Sequence, residues 1–212
     1  MRYFITILII TISQLSAVAQ DSVLSQVQQQ LDRQKELKKN LVYSFTTLSY
    51  VHKLDKQGLV EKTDTVISWH KYQGDSLLEF RIISTTDKDQ YKEPEKNKRQ
   101  EKLKLPKFND PKYEFSVKQT EFSIKFKPKK PKGGDLAGTV SYDPQDMSLK
   151  EINVTMPKLK WPLNEFAAKT EFAMLEEFML PSHTRMQAGW NALISKGRIR
   201  VESSNSDYKI YK

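Results

Sequence analysis

Hydrophobic and polar positions change rhythm several times along this 212-residue chain. Tyr3 to Ile12 is an almost unbroken apolar run. From Asp21 to Asn40 the apolar residues recur at helical spacing. Leu24, Val27 and Leu31 share one face, Leu37 and Leu41 continue nearby, and Gln and charged residues fill the rest. Asp21 or Ser22 can cap this segment, and Lys35, Lys38 and Lys39 suit the negative end of its dipole. The pattern predicts one amphipathic helix packed on a sheet.

From Leu41 the texture becomes that of strands. Leu41–Leu54, Leu59–Tyr72 and Leu77–Thr85 are rich in residues that suit a pleated surface. Asp55-Lys56-Gln57-Gly58 and Gln73-Gly74-Asp75-Ser76 separate them as tight turns, so the three form an antiparallel meander. Leu78, Phe80 and Ile82 are expected on one face of the third. Strands resume at Tyr113–Gln119, at Phe122–Phe126 with Phe122, Ile124 and Phe126 alternating, and at the hairpin Leu136–Tyr142 and Leu149–Met156. Pro181–Tyr211 reads as two more strands around Ser195-Lys196-Gly197.

Two stretches resist this reading. Asp87–Lys104 holds seven Lys or Arg and five Asp or Glu, which leaves it almost nothing to bury. Residues 87–106 therefore read as a charged insert between strands, helix-like over Glu93–Leu103. In Leu163–Leu180, Ala168, Phe172, Leu175 and Met179 fit a helix, and Ala, Glu, Met and Leu favour one. In the same stretch Phe166, Ala168, Thr170, Phe172 and Met174 alternate as in a strand. The expected total is nine or ten strands with one N-terminal helix. That makes a mainly β fold with some α: a strongly curved antiparallel sheet, or half-open β-barrel, with helix packed on it.

Composition adds an address. Arg2 precedes the apolar run, and Ala17-Val18-Ala19 then offers small residues where a signal peptidase cuts, so residues 1–19 read as a signal peptide. The run of about ten apolar residues is too short to cross a ~30 Å hydrocarbon core. The chain has no cysteine, which argues against a lipid anchor and leaves the fold to packing alone. Residues 20–212 then form one domain, exported to the periplasm and soluble there. The formal net charge of +9 suits anionic surfaces, and outside the cytoplasm nucleic acid is the poorer partner. Lys125, Lys127, Lys129, Lys130 and Lys132 put five lysines in eight residues, a candidate contact to an anionic membrane surface or envelope protein.

No residue set announces a catalytic chemistry. His52, His70 and His183 are the only histidines and none sits near another at a ligand spacing, although His52 and His70 lie on one meander and can meet across a hairpin. No catalytic residue, metal or cofactor is assigned. The aromatic and aliphatic residues spread over nearly every strand can fill a core or line a cavity for an acyl chain.

The order of parts resembles the periplasmic outer-membrane lipoprotein-sorting-like group of exported proteins. The resemblance rests on the helix, the meander LVYSFTTLSYVHKLDKQGLVEKTDTVISWHKY, the insert EPEKNKRQEKLKL, and the segments FSIKFKP, LAGTVSYDPQDMSLKEINV, FMLPSHTRMQ and SDYKIYK. Gly138, Val140, Tyr142, Asp143, Leu149 and Ile152 fill the places of a hairpin pattern of that group. The resemblance implies a half-barrel whose concave apolar face receives lipid or lipoprotein acyl chains without catalysis, and it implies that Leu163–Phe178 is a strand. Arg81 lies on a strand suited to the cargo-binding arginine of such carriers. On this reading Phe45, Trp69, Leu78, Phe80, Ile82, Phe115, Phe122, Ile124, Phe126, Val154 and Phe172 line the cavity. The alternative is an envelope interaction module with a packed core, whose Lys-rich loops contact anionic surfaces.

Overall fold

The computed structural model describes residues 2–88, 91, 104–193 and 195–211, and the side chains from Gln20 onward. One helix, α1 (Arg2–Lys38), precedes ten strands. These are β1 (Val42–Leu54), β2 (Val60–Gln73), β3 (Ser76–Thr85), β4 (Tyr113–Lys118), β5 (Ser123–Pro128), β6 (Ala137–Tyr142), β7 (Leu149–Thr155), β8 (Leu163–Leu175), β9 (Phe178–Asn191) and β10 (Lys196–Tyr211). All ten form one antiparallel sheet in the order β3-β2-β1-β10-β9-β8-β7-β6-β5-β4. The sheet is not closed. Two meanders, β1–β3 and β4–β10, meet where the last strand pairs with the first.

The helix runs unbroken through the expected boundary at residue 19. The charged insert falls mostly on residues 89–90 and 92–103, outside the described residues. Its described end, residues 104–106, has no regular structure. The ambiguous stretch is a strand as far as Leu175, then a turn at residues 176–177 and the start of β9: β8 pairs with β9 from Leu163↔Trp190 to Leu175↔Phe178. Backbone pairing along both edges outweighs a helix preference worth only tenths of a kcal/mol per residue.

One face of the sheet is charged. Arg198 donates to Glu165 (Nη2 to Oε1, 3.0 Å) and Arg185 meets Glu202 (2.8 Å). Lys169 sits between Glu151 (2.8 Å) and Glu171 (2.9 Å). The Arg198 guanidinium holds the Glu165 carboxyl below the usual range, and Lys169 does the same to Glu171. These rows of opposite charge mark a solvated surface.

The other face carries the apolar residues and α1. Leu24, Val27 and Leu31 pack against Phe108, Ile124, Phe126, Val140 and Met179 in the main core. Leu37 joins a second cluster of Tyr43, Phe45, Phe178 and Leu180. Polar hooks fix the helix along this line. Gln20 donates to the Phe115 carbonyl (2.9 Å), and Gln28 accepts from the Phe108 amide (2.9 Å). Buried Gln34 donates to the Glu177 carbonyl and accepts from the Met179 amide, both at 2.8 Å. At the helix end, Gly74 adopts φ +54°, and a Cβ there would lie 2.6 Å from the Lys39 carbonyl oxygen. Only glycine lets the β2–β3 turn approach so closely.

Candidate functional site

Residues directly opposite in an antiparallel pair share a face. The registers therefore order the inner face into bands across β8, β9, β10, β1 and β2. Nearest the end of α1 is a ring band. His70 stacks on Phe45 at 5.0 Å and meets the edge of Phe80 at 4.9 Å, with Tyr43, Tyr72 and Tyr208 alongside. Burial holds His70 neutral far below its ordinary range, lowered from 6.5 to about 4, and pushes the phenol of Tyr208 up to about 12.

Next comes a hydroxyl band. Ser49 and Ser203 pair at 2.8 Å, Thr170 and Thr184 at 3.4 Å, and Thr47 donates to Asn205 at 2.8 Å. Beyond it lies an apolar band of Ala168, Met186, Val201 and Val51, followed by Phe166, Ala188 and Ile199. All seven are half-buried. None of the described core contacts of α1 reaches Met186, Val201 or Val51. Serines and threonines build the hydroxyl band, while Met186, Val51, Val201 and Ile199 give the apolar band its bulk. In line with this apolar band, buried Asp64 receives Lys62 (2.9 Å) on one oxygen, and its other oxygen has no hydrogen-bond partner among the described residues.

The expected cavity residues divide. Phe115, Ile124, Phe126, Val154 and Phe172 do come together, yet they belong to the main core under α1. Ile124 and Phe126 are 0% and 1% exposed, which is filled packing rather than a lining. Phe45, Phe80 and Ile82 share the inner face with His70 and Ser68.

Three residues do not join them. Trp69 points to the charged face, where Arg81 lies 5.4 Å over its ring. Arg81 also pairs with Glu79 there, away from any apolar site. Leu78 and Ile83 are the extra residues of two bulges in β3 and are exposed, so the simple alternation through Leu78 fails. Phe122 ends a turn of 3-10 helix with φ +47° and lies exposed against the edge of Tyr142.

The five lysines also divide. Lys125 and Lys127 stand on the outer face of β5, with Lys127 2.9 Å from Glu114. Lys129, Lys130 and Lys132 lie in the β5–β6 loop, and all five are exposed. His52 and His70 do not meet: His52 hydrogen-bonds Thr63 (2.8 Å) on the opposite face. Among the described residues no cluster of His, Asp and Glu could hold a metal ion. None of the described helices is long and apolar enough to cross a membrane.

A groove of about 440 Å³ lies elsewhere, between the last turns of α1 and the β2–β3 turn. Leu31 and Met179 line it together with Gln34, Lys35, Lys38, Lys39 and Asp75, and none of the expected cavity residues borders it. Sequence reasoning missed the apolar band itself. Met186, Ala188, Ile199 and Val201 alternate along β9 and β10, and that alternation was the available signal. Compared with known proteins, the chain matches no family model and no curated sequence.

Proposed function

We propose that the protein is an exported, non-enzymatic carrier that holds a lipid or a lipoprotein acyl chain against the inner face of its sheet. The observation that carries this reading is the half-buried apolar row of Met186, Ala188, Val201 and Val51, which takes no part in the described core contacts of α1. This apolar row and the hydroxyl band beside it suit a ligand with an extended apolar part and a polar junction. Burial contributes about 0.8 kcal/mol per CH₂, so a long chain needs no covalent attachment. Curvature of the sheet into a half-barrel, export through residues 1–19, a periplasmic location and kinship with the lipoprotein-sorting-like group all belong to this proposal.

Native mass spectrometry with organic extraction tests it. The protein retains palmitate or an acylated peptide one to one, and Met186→Asp lowers retention at least tenfold while the far-ultraviolet spectrum stays that of the wild type. A bare mass after both probes are offered refutes the reading. One observation favours the alternative of a filled core that acts through its surface. Five of the expected lining residues are packed under α1.

A further inference from the structure

Four connections lie side by side at one end of the sheet, the end opposite the last turn of α1. The β1–β2 turn reaches β10 through Gly58, whose Cβ position lies 3.2 Å from the Arg198 guanidinium. The β9–β10 turn touches the β7–β8 loop where the Asn191 amide donates to the Pro162 carbonyl (2.8 Å). That loop meets the β5–β6 loop where the Gly134 amide donates to the Lys158 carbonyl (3.3 Å). The row runs from β2 to β5, roughly 30 Å at the ordinary strand spacing.

Its composition is unusual in two ways at once. The most exposed large apolar residues of the described chain sit at three of the four tips: Leu193 is 98% exposed, Trp161 70% and Leu59 68%. Isolated exposed apolar residues need no explanation, but three on adjacent tips form a set. Around them lie Lys56, Lys129, Lys130, Lys132, Lys158 and Lys160, against only Asp55 and Asp135 within the same connections. Among the described residues none of the six lysines has an ion-pair partner. A cationic field studded with one Trp and two Leu fits a single kind of surface. That surface has anionic head groups to meet the lysines and an apolar layer just beneath for the tips. Trp in particular settles at this boundary, since its ring is apolar and its N–H polar. A protein partner would have to bury three separate tips among six charges.

We infer that this rim docks the protein on an anionic phospholipid bilayer, with Trp161, Leu193 and Leu59 entering the head-group layer and the six lysines reading its charge. The inference rests on neither reading of the inner face. The apolar band of that face runs toward the same end, so docking would bring it to the lipid.

Flotation with vesicles tests the rim, using the protein as purified from the cells that make it. The probes are phosphatidylcholine alone and phosphatidylcholine with phosphatidylglycerol at seven to three. The apolar run at residues 3–12 can bind vesicles by itself, so the readout is the difference between wild type and variants. The expected result is binding to anionic vesicles, weakened at least tenfold by the double change Trp161→Ser and Leu193→Ser. Lys129→Gln, Lys130→Gln and Lys132→Gln together lower it about a hundredfold, since each near-surface lysine contributes roughly a factor of five. Changing Lys35 and Lys39 to Gln, at the far end, leaves it unaltered. Equal binding of wild type and rim variants overturns the inference. So does equal binding to neutral and anionic vesicles. A wild type that ignores both vesicles and sediments as a dimer, which the tip changes dissolve, also overturns it and gives the rim to a second copy of the chain.

Discussion

Phe126→Ala distinguishes a ring that fills the core from a ring that lines a cavity. Phe126 is 1% exposed, in the middle of β5, opposite Phe115 on one side and Gly138 on the other. Leu24, Val27, Ile124 and Val140 belong to the same buried cluster. Removing a buried phenyl ring from such a site costs about 3–5 kcal/mol, and more where the neighbours cannot close the hole. Here they are held. Gly138 offers no side chain to move in, and its backbone is so close to β7 that an added Cβ would lie 1.9 Å from the Asn153 oxygen. The loss therefore belongs in the upper half of that range, about 4 kcal/mol. With a urea slope of about 2 kcal/mol per molar, the unfolding midpoint falls by about 2 M, with the slope itself unchanged. Circular dichroism against urea reads this directly. A loss below about 1 kcal/mol, together with loss of a bound apolar ligand, would show that the ring borders open space and would refute the assignment to the core.

Other outcomes follow from the same structure. In Gln34→Leu, the Glu177 carbonyl and the Met179 amide lose their partners; each unsatisfied group costs about 1–3 kcal/mol. The expected result is a lower urea midpoint and faster hydrogen exchange at the Met179 amide, and a protected amide in the variant would contradict it. His70 is neutral in the fold down to about 4, whereas the unfolded chain protonates near 6.5. The unfolded state binds more protons between those values, so His70 makes stability fall as pH drops from about 6.5 to about 4. His70→Phe flattens that part of the urea-midpoint profile; an unchanged slope would show that other groups set it. The retention assay on Met186→Asp and the flotation assay on the rim complete the set.

Much of the fold is legible in the residues, because strict alternation reports a half-buried strand wherever the ladder is regular. Leu149–Thr155 and Ser123–Pro128 show this, since both strands pair in unbroken or nearly unbroken register. Reading fails where the ladder is irregular. The two bulges in β3 push Leu78 and Ile83 outward, and no local residue type announces them. Phe122 alternates with Ile124 yet belongs to a turn. In β8 the side chains favour one state and the pairing partners impose another, and those partners lie outside any local window. The inner face was legible only in part. Its richest aromatics signalled burial and lie under the helix, while Met186, Ala188, Ile199 and Val201 signalled only an alternating strand face and not what covers it. Of the rim, Lys129, Lys130 and Lys132 were legible as a basic run, but not its apolar tips, which come from three separate connections at Leu59, Trp161 and Leu193.

The place of β10 bears on how the chain assembles. Among the described residues the two meanders are hydrogen-bonded as one sheet only through β1 and β10, and β10 follows every other strand in the chain. A ribosome releases the chain N-terminus first, so β1–β3 must wait with one strand edge unpaired until β10, residues 196–211, has emerged. Contacts this distant in sequence close slowly. The waiting edge of β1 is a site where a second unfinished chain can add a strand, and a C-terminal truncation would make that vulnerability permanent.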